Sequence, residues 1–218
     1  MNVFGLTRIT SYILLLLLVA TGLCVAQNAE KILEEASAAY EKSNGISAQF
    51  AVNISSEKQG VSESFEGSIQ MRGDKFVLIT PEVRTWYNGT TQWTYMSASG
   101  EVYKSTPSGD ELQMINPMIL FRTYKQGFNL VYGGESTSHN AKPAHDLVLT
   151  SKRGNSDITK IEIQIEKASL FPVRMTVNMK NGIRNQFRIS KMQTGVNQPD
   201  SFFTFNPKDY PDVDVIDL

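Results

Sequence analysis

From position 28 onward the chain carries two hydrophobic periods in succession. Asn28–Ser43 places Ile32, Leu33, Ala36, Ala39 and Tyr40 at helical spacing, with Glu30, Glu34, Glu35 and Glu41 around the rest of the surface. Gly45 follows where a helix C-cap needs a left-handed residue. The period then drops to two. Ile46, Ala48, Phe50, Val52 and Ile54 alternate with polar residues, and so do Val61, Phe65, Ile69 and Met71. One apolar and one wet face is the pattern of half-buried antiparallel strands. Lys75–Thr80 continues it. Asn88-Gly89 predicts a two-residue hairpin turn between Val83–Tyr87 and Thr91–Met96, with both positions at positive φ. Ser99-Gly100 predicts a second turn before Glu101–Ser105.

The middle of the chain interrupts the strands. Asn116 and Pro117 suit an N-cap and a first helical residue. The segment Met118–Lys125 is apolar around most of its girth, and a helix like that is covered on several sides or itself covers something. Strands resume at Phe128–Tyr132 and His145–Ser151, then around Ile161–Ile165, Val173–Met179 and, after the Asn181-Gly182 turn, Ile183–Ile189. Phe202–Phe205 reads as a last short strand, and Pro211–Leu218 as an acidic tail. The pattern amounts to about ten strands in an antiparallel meander, and a sheet of that size curls. The expected fold is mainly β: a curved, open half-barrel covered by helices, in a single domain over residues 27–218.

The first residues change the picture of where the chain works. Arg8, the apolar block Ile13–Ala20 and the small residues before Ala26 form a signal-peptide pattern, with cleavage expected after Ala26. The apolar block is shorter than the roughly 20 residues a membrane span needs. Cys24 follows Leu23 rather than a small residue, so it reads as part of the discarded peptide and not as a lipid anchor. It is the single cysteine of the chain, so the exported domain carries no disulfide and no thiolate chemistry. The formal net charge of −1 gives no electrostatic case for nucleic acid or an anionic membrane.

Candidate chemistry is sparse. His139 and His145 fall in a polar stretch expected to be a loop, without the accompanying ligands of a metal site. Gly133-Gly134 precedes no helix start and so cradles no phosphate. Asn53-Ile54-Ser55 and Asn88-Gly89-Thr90 are glycosylation sequons by pattern alone. No acid–base or nucleophile set is visible, and no cofactor is implied. What stands out is apolar material on a concave scaffold: Phe50, Phe65, Phe76, Trp86, Trp93 and Tyr95, with Met71, Met96, Met114, Met118, Met175 and Met179. Such a set is either an ordinary core or the lining of a ligand cavity, to which adaptable methionines are suited.

Several stretches, in order, resemble the LolA family of periplasmic carriers of outer-membrane lipoproteins. They are the N-terminal helix running into Ile46-Ser47-Ala48-Gln49-Phe50; Phe65–Arg72 with Lys75-Phe76; Tyr87–Tyr95 followed by Glu101-Val102; Asn116–Leu120; and Phe203–Pro207. The resemblance covers nearly the whole exported chain. It implies a cavity lined by Phe50, Val52, Phe65, Ile69, Met71, Phe76, Trp86, Trp93 and Tyr95, under a lid bearing Met118, Ile119 and Phe121. It implies acylated lipoproteins as cargo, an inner-membrane ABC transporter as donor and an outer-membrane lipoprotein receptor as acceptor, with a monomeric carrier and no catalytic step. Arg72 is the nearest match to the family's lid-latching arginine, although Gly73-Asp74 stands where the family has a proline. Two other readings stay open: a carrier of another lipid or glycolipid, and an outer-membrane β-barrel.

Overall fold

The computed structural model describes residues 28–108, 111–112, 124, 127–154 and 156–218. The expected signal peptide and the lid residues Met118, Ile119 and Phe121 lie outside the described residues. Helix α1 (28–42) forms as its spacing predicts and buries Ala29, Ile32, Leu33 and Ala36. Asn44 and Gly45 then take positive φ (53° and 94°) and turn the chain into the sheet.

Twelve strands follow: β1 (Ile46–Ser56), β2 (Val61–Arg72), β3 (Lys75–Ile79), β4 (Val83–Tyr87), β5 (Gln92–Met96), β6 (Glu101–Ser105), β7 (Phe128–Thr137), β8 (Pro143–Ser151), β9 (Ile158–Glu166), β10 (Pro172–Met179), β11 (Arg184–Thr194) and β12 (Asp214–Asp217). They form one sheet in the order β12-β6-β5-β4-β3-β2-β1-β11-β10-β9-β8-β7. Strand β1 lies inside that order. The meander β1–β6 runs outward from it on one side. The chain then crosses to the far edge, and β7–β11 meanders back until β11 pairs with β1, antiparallel. With β12 and β7 at its two ends the sheet is an open half-barrel, not the closed wall an outer-membrane barrel requires.

Cross-strand register separates the faces. Ile46 pairs with Met71, Met71 with Phe76, and Phe76 with Tyr87, so these four share one face. One residue along, Val77 pairs with Trp86 and Trp86 with Trp93, on the opposite face. Helix α1 packs on the first face over β7–β11, against Leu147, Leu149, Ile161, Ile163, Ile165, Met175 and Val177. Ile46, Met71, Phe76 and Tyr87 continue that face across β1–β4. On the opposite face, among the described residues, residues 199–213 strap across β3–β6.

Four expectations need correction. Phe202–Phe205 is not a strand: Asp200–Phe203 is a short 3-10 turn. Pro199 and Pro207 flank it and cannot donate to a ladder, so Phe203 and Phe205 are buried by packing on the sheet instead. The acidic tail is the true last strand, and β12 pairs parallel with β6, with Lys104 Nζ 2.7 Å from Asp217 Oδ1. The Asn88-Gly89 turn is a four-residue loop in which only Gly89 has positive φ. The Asn88 side chain does the work of a second left-handed residue, its Oδ1 accepting from the N–H groups of Thr90 (3.0 Å) and Thr91 (2.9 Å). Finally, of the two readings of His145, the strand His145–Ser151 holds and the loop does not, since it sits inside β8.

Candidate functional site

The feature with the reach of a functional site is the helix-bearing face itself. Phe50 and Val52 on β1, Phe65, Ile69 and Met71 on β2, and Phe76 on β3 all lie on it by register, as expected. Phe50, Val52, Met71 and Phe76 are buried, whereas Phe65 and Ile69 are half-buried. Phe50 owes its seat to Gly67, its partner across the pair. A Cβ at Gly67 would stand 2.5 Å from the Phe50 ring and 2.6 Å from the Ile79 carbonyl. The face also holds residues that the sequence reading did not assign to a cavity. Tyr40, Leu78, Phe171 and Met192 pack half-buried on the Ile46–Met71–Phe76–Tyr87 cluster. Leu78 was legible as the next inward position after Phe76; Phe171 was not, because it lies before β10 and outside any alternation.

The chain between β6 and β7 is seated at both ends on this face. Leu112 packs on the cluster over β1–β4, and Tyr124 is buried in the cluster under α1.

Trp86, Trp93 and Tyr95 do not belong to this face. The expected single cavity divides, because these three point to the opposite side and are covered by the C-terminal strap. Trp86 meets Phe205 (ring centroids 5.4 Å apart) and Tyr210 (5.7 Å), and Tyr95 meets Tyr210 (5.2 Å). Apolar residues at both parities of β3 and β4 need two covers, and no local signal says which cover each parity meets.

Arg72, expected as a lid latch, has its described contacts elsewhere. One residue beyond Met71, it faces the strap. Its guanidinium donates to Asn197 Oδ1 (3.1 Å) and to Asp200 Oδ1, and lies 5.8 Å from the Phe203 ring centre. Lys75 Nζ stands 2.8 Å from the same Asp200 oxygen. The hydrogen bond from Lys75 and the neighbouring charge of Arg72 hold the Asp200 carboxyl below its ordinary range. Among the described residues, the partners of Arg72 lie between Asn197 and Phe203, at the start of the C-terminal strap and just before it.

His145 lies on the helix-bearing face beside Tyr132, whose hydroxyl is 3.1 Å from its Nδ1. Burial, followed by the charge of Lys167, lowers the His145 pKa from its usual 6.5. A histidine depressed in the folded state resists protonation there, so the unfolded chain binds the proton first. Stability is then complete above about pH 6.5 and falls as pH drops below it. Carboxylates held low, such as Asp200 and Glu135, contribute only at more acid pH, from their ordinary values of 3.8 and 4.5 downward. The melting temperature is therefore expected to fall between about pH 7.5 and 5.5, with His145→Gln flattening that slope; an unchanged slope in the variant would refute the assignment.

Among the described residues no group of three or more His, Cys, Asp or Glu side chains could hold a metal. No described helix is long and apolar enough to cross a membrane. An open antiparallel half-barrel, with a continuous apolar face under a helix, is the LolA-like class of fold. A family model described as outer membrane lipoprotein carrier protein LolA matches residues 19–183, and the chain belongs to that family. Among solved structures, an uncharacterised conserved protein from Thermus thermophilus shares the fold at TM-score 0.54 and 15% identity, covering 85% of this chain and 98% of its own. A LolA superfamily protein from Nitrosomonas europaea aligns at TM-score 0.46 and 14% identity (81% of this chain, 97% of that one). The Mycobacterium tuberculosis lipoprotein LppX aligns at 0.47 and 14% (79% and 97%). No curated protein matches in sequence.

Proposed function

We propose that this protein is a periplasmic carrier that holds the acyl chains of lipoproteins against the helix-bearing face, taking them from an inner-membrane ABC transporter and delivering them to an outer-membrane receptor. The observation that supports this reading is the continuity of apolar side chains across that face, from the cluster under α1 to the Ile46–Tyr87 cluster, with Phe65, Ile69, Leu78 and Met192 left half-buried. A sheet face whose side chains are only partly covered can exchange that cover for a guest. Each CH₂ taken out of water contributes about 0.8 kcal/mol, so several enclosed acyl chains would sum to tens of kcal/mol. Affinities saturate near about −20 kcal/mol, and a carrier must also release. Partial enclosure is the physical consequence. The carrier performs no catalytic step and needs no cofactor, and the exported form begins near Gln27 and works as a monomer.

The test is native mass spectrometry of the protein purified from the periplasm. The expected spectrum shows a monomer with an N-terminus near Gln27 and a bound triacylated lipoprotein. Bound phospholipid or glycolipid in place of lipoprotein would replace the cargo with a free lipid. An apo mass that takes up no acylated peptide would refute the carrier reading.

A further inference from the structure

The strap does more than cover the back of β3–β6. Between it and the sheet lies a cleft of about 1060 Å³, on the face opposite the apolar one, with Trp86, Phe202, Phe205 and Tyr210 among its walls. That volume is of the size that takes small organic ligands. Arg84 enters it from β4. Its guanidinium lies over the Trp86 ring, 4.9 Å from the centre, and Nη1 donates to the Tyr210 hydroxyl at 3.3 Å. Its Nε is buried without a hydrogen-bond partner, and among the described residues no carboxylate stands within ion-pair distance of it. Ser201 and Thr204 line the same cleft, and neither hydroxyl has a partner among the described residues.

A cation over an aromatic ring, short of acceptors and facing a cleft with two free hydroxyls, is half of a recognition pair. The same guanidinium has Nη2 without a hydrogen-bond partner among the described residues, a donor that an acceptor entering the cleft can take. The charge balance narrows what that acceptor is. The Arg84 guanidinium has no carboxylate bonded to it among the described residues and calls for a negatively charged acceptor, and Asp209 in the cleft wall disfavours a multiply charged one. The aromatic walls call for a flat apolar body next to the acid. We propose that this cleft is a second ligand site, separate from the acyl-bearing face, which binds a small monoanionic carboxylate with an aromatic or flat apolar body. The carboxylate pairs with Arg84 and the hydroxyls of Ser201 and Thr204, and the apolar body packs on Phe202 and Phe205. The planar fork of arginine suits a carboxylate better than an ammonium would.

The tryptophans make the test selective. The chain has two, Trp86 and Trp93, and both lie on this face, so intrinsic fluorescence reports on the cleft and not on the acyl-bearing side. Phenylacetate titrated into the purified protein is expected to give a saturable change in the millimolar range. Phenylacetamide, the neutral isostere, is expected to bind about tenfold or more weakly, the effect of losing a hydrogen bond between charged partners. Arg84→Met keeps an apolar stem on Trp86 and is expected to bring the acid down to the affinity of the amide. Equal affinity for acid and amide in the wild type, or no saturable response to phenylacetate, would overturn the proposal even if Arg84→Met does not fold. A saturable response to inorganic phosphate without one to phenylacetate would overturn the carboxylate assignment. Loading with acylated peptide, measured separately, is independent of every one of these outcomes.

Discussion

Gly45→Ala is expected to lower the melting temperature by about 6–12 °C, the equivalent of about 3 kcal/mol for a chain of this size. Two costs coincide at this position. The backbone φ of 94° lies where an L-residue is strained, and a Cβ there would stand 2.5 Å from the carbonyl oxygen of Val196 and 3.2 Å from that of Met71. Neither oxygen can swing away as a flexible side chain would. Val196 N–H donates to the Gly45 carbonyl (3.3 Å) and Gly195 N–H to the Ser43 carbonyl (2.7 Å), so the chain beyond β11 is tied to the end of α1. Gly45 is thus the point where α1, β1, β2 and the start of the strap meet. The comparison is Gly100→Ala, also at positive φ (70°) but in a turn with open space around the position. Thermal melts followed by circular dichroism decide it: a loss at Gly45 no larger than at Gly100 would mean that strain alone, and not the close approach, sets the requirement for glycine.

The second large effect concerns cargo. Leu78 and Ile79 are neighbours on β3 with opposite fates. Leu78 faces Ile69 within the apolar cluster, whereas Ile79 is 37% exposed on the other side. Leu78→Asp is expected to weaken binding of an acylated peptide by about ten- to a hundredfold, because an acyl chain would have to desolvate a carboxylate that has no partner there. Ile79→Asp is expected to leave that binding unchanged. Both positions are at least partly exposed, and circular dichroism of each variant establishes that the sheet persists. The measurement is displacement of a fluorescent fatty acid by acylated peptide. Equal losses in the two variants, or none at Leu78, would show that the helix-bearing face does not hold the acyl chains.

The two predictions draw on different layers of information. Helix α1, the position of Gly45 at its end, and the period-two strands were legible in the sequence, because amphipathic spacing and turn residues act over a few positions. The resemblance to the LolA family was legible too, carried by ordered short stretches such as Tyr87–Tyr95. The inward residues of β1–β3 followed directly, since alternation assigns Phe50, Val52, Phe65, Ile69 and Met71 to one side of their strands.

What alternation could not decide was the identity of each side. Phe76 and Val77 are both buried, as are Thr85, Trp86 and Tyr87, so β3 and β4 are covered on two faces and their apolar residues sort by register alone. Trp86, Trp93 and Tyr95 therefore read as cavity residues until the strap from residues 199–213 is seen to cover them. Arg72 matches the family's latch in sequence, and only the fold shows its bonds to Asn197 and Asp200, 125 and 128 positions away in the chain. The sequence by itself determined helix α1, most of the strands with their greasy sides, and the family. The tertiary structure alone decided which greasy side lies under α1 and which under the strap, because that depends on which distant segment arrives to cover it.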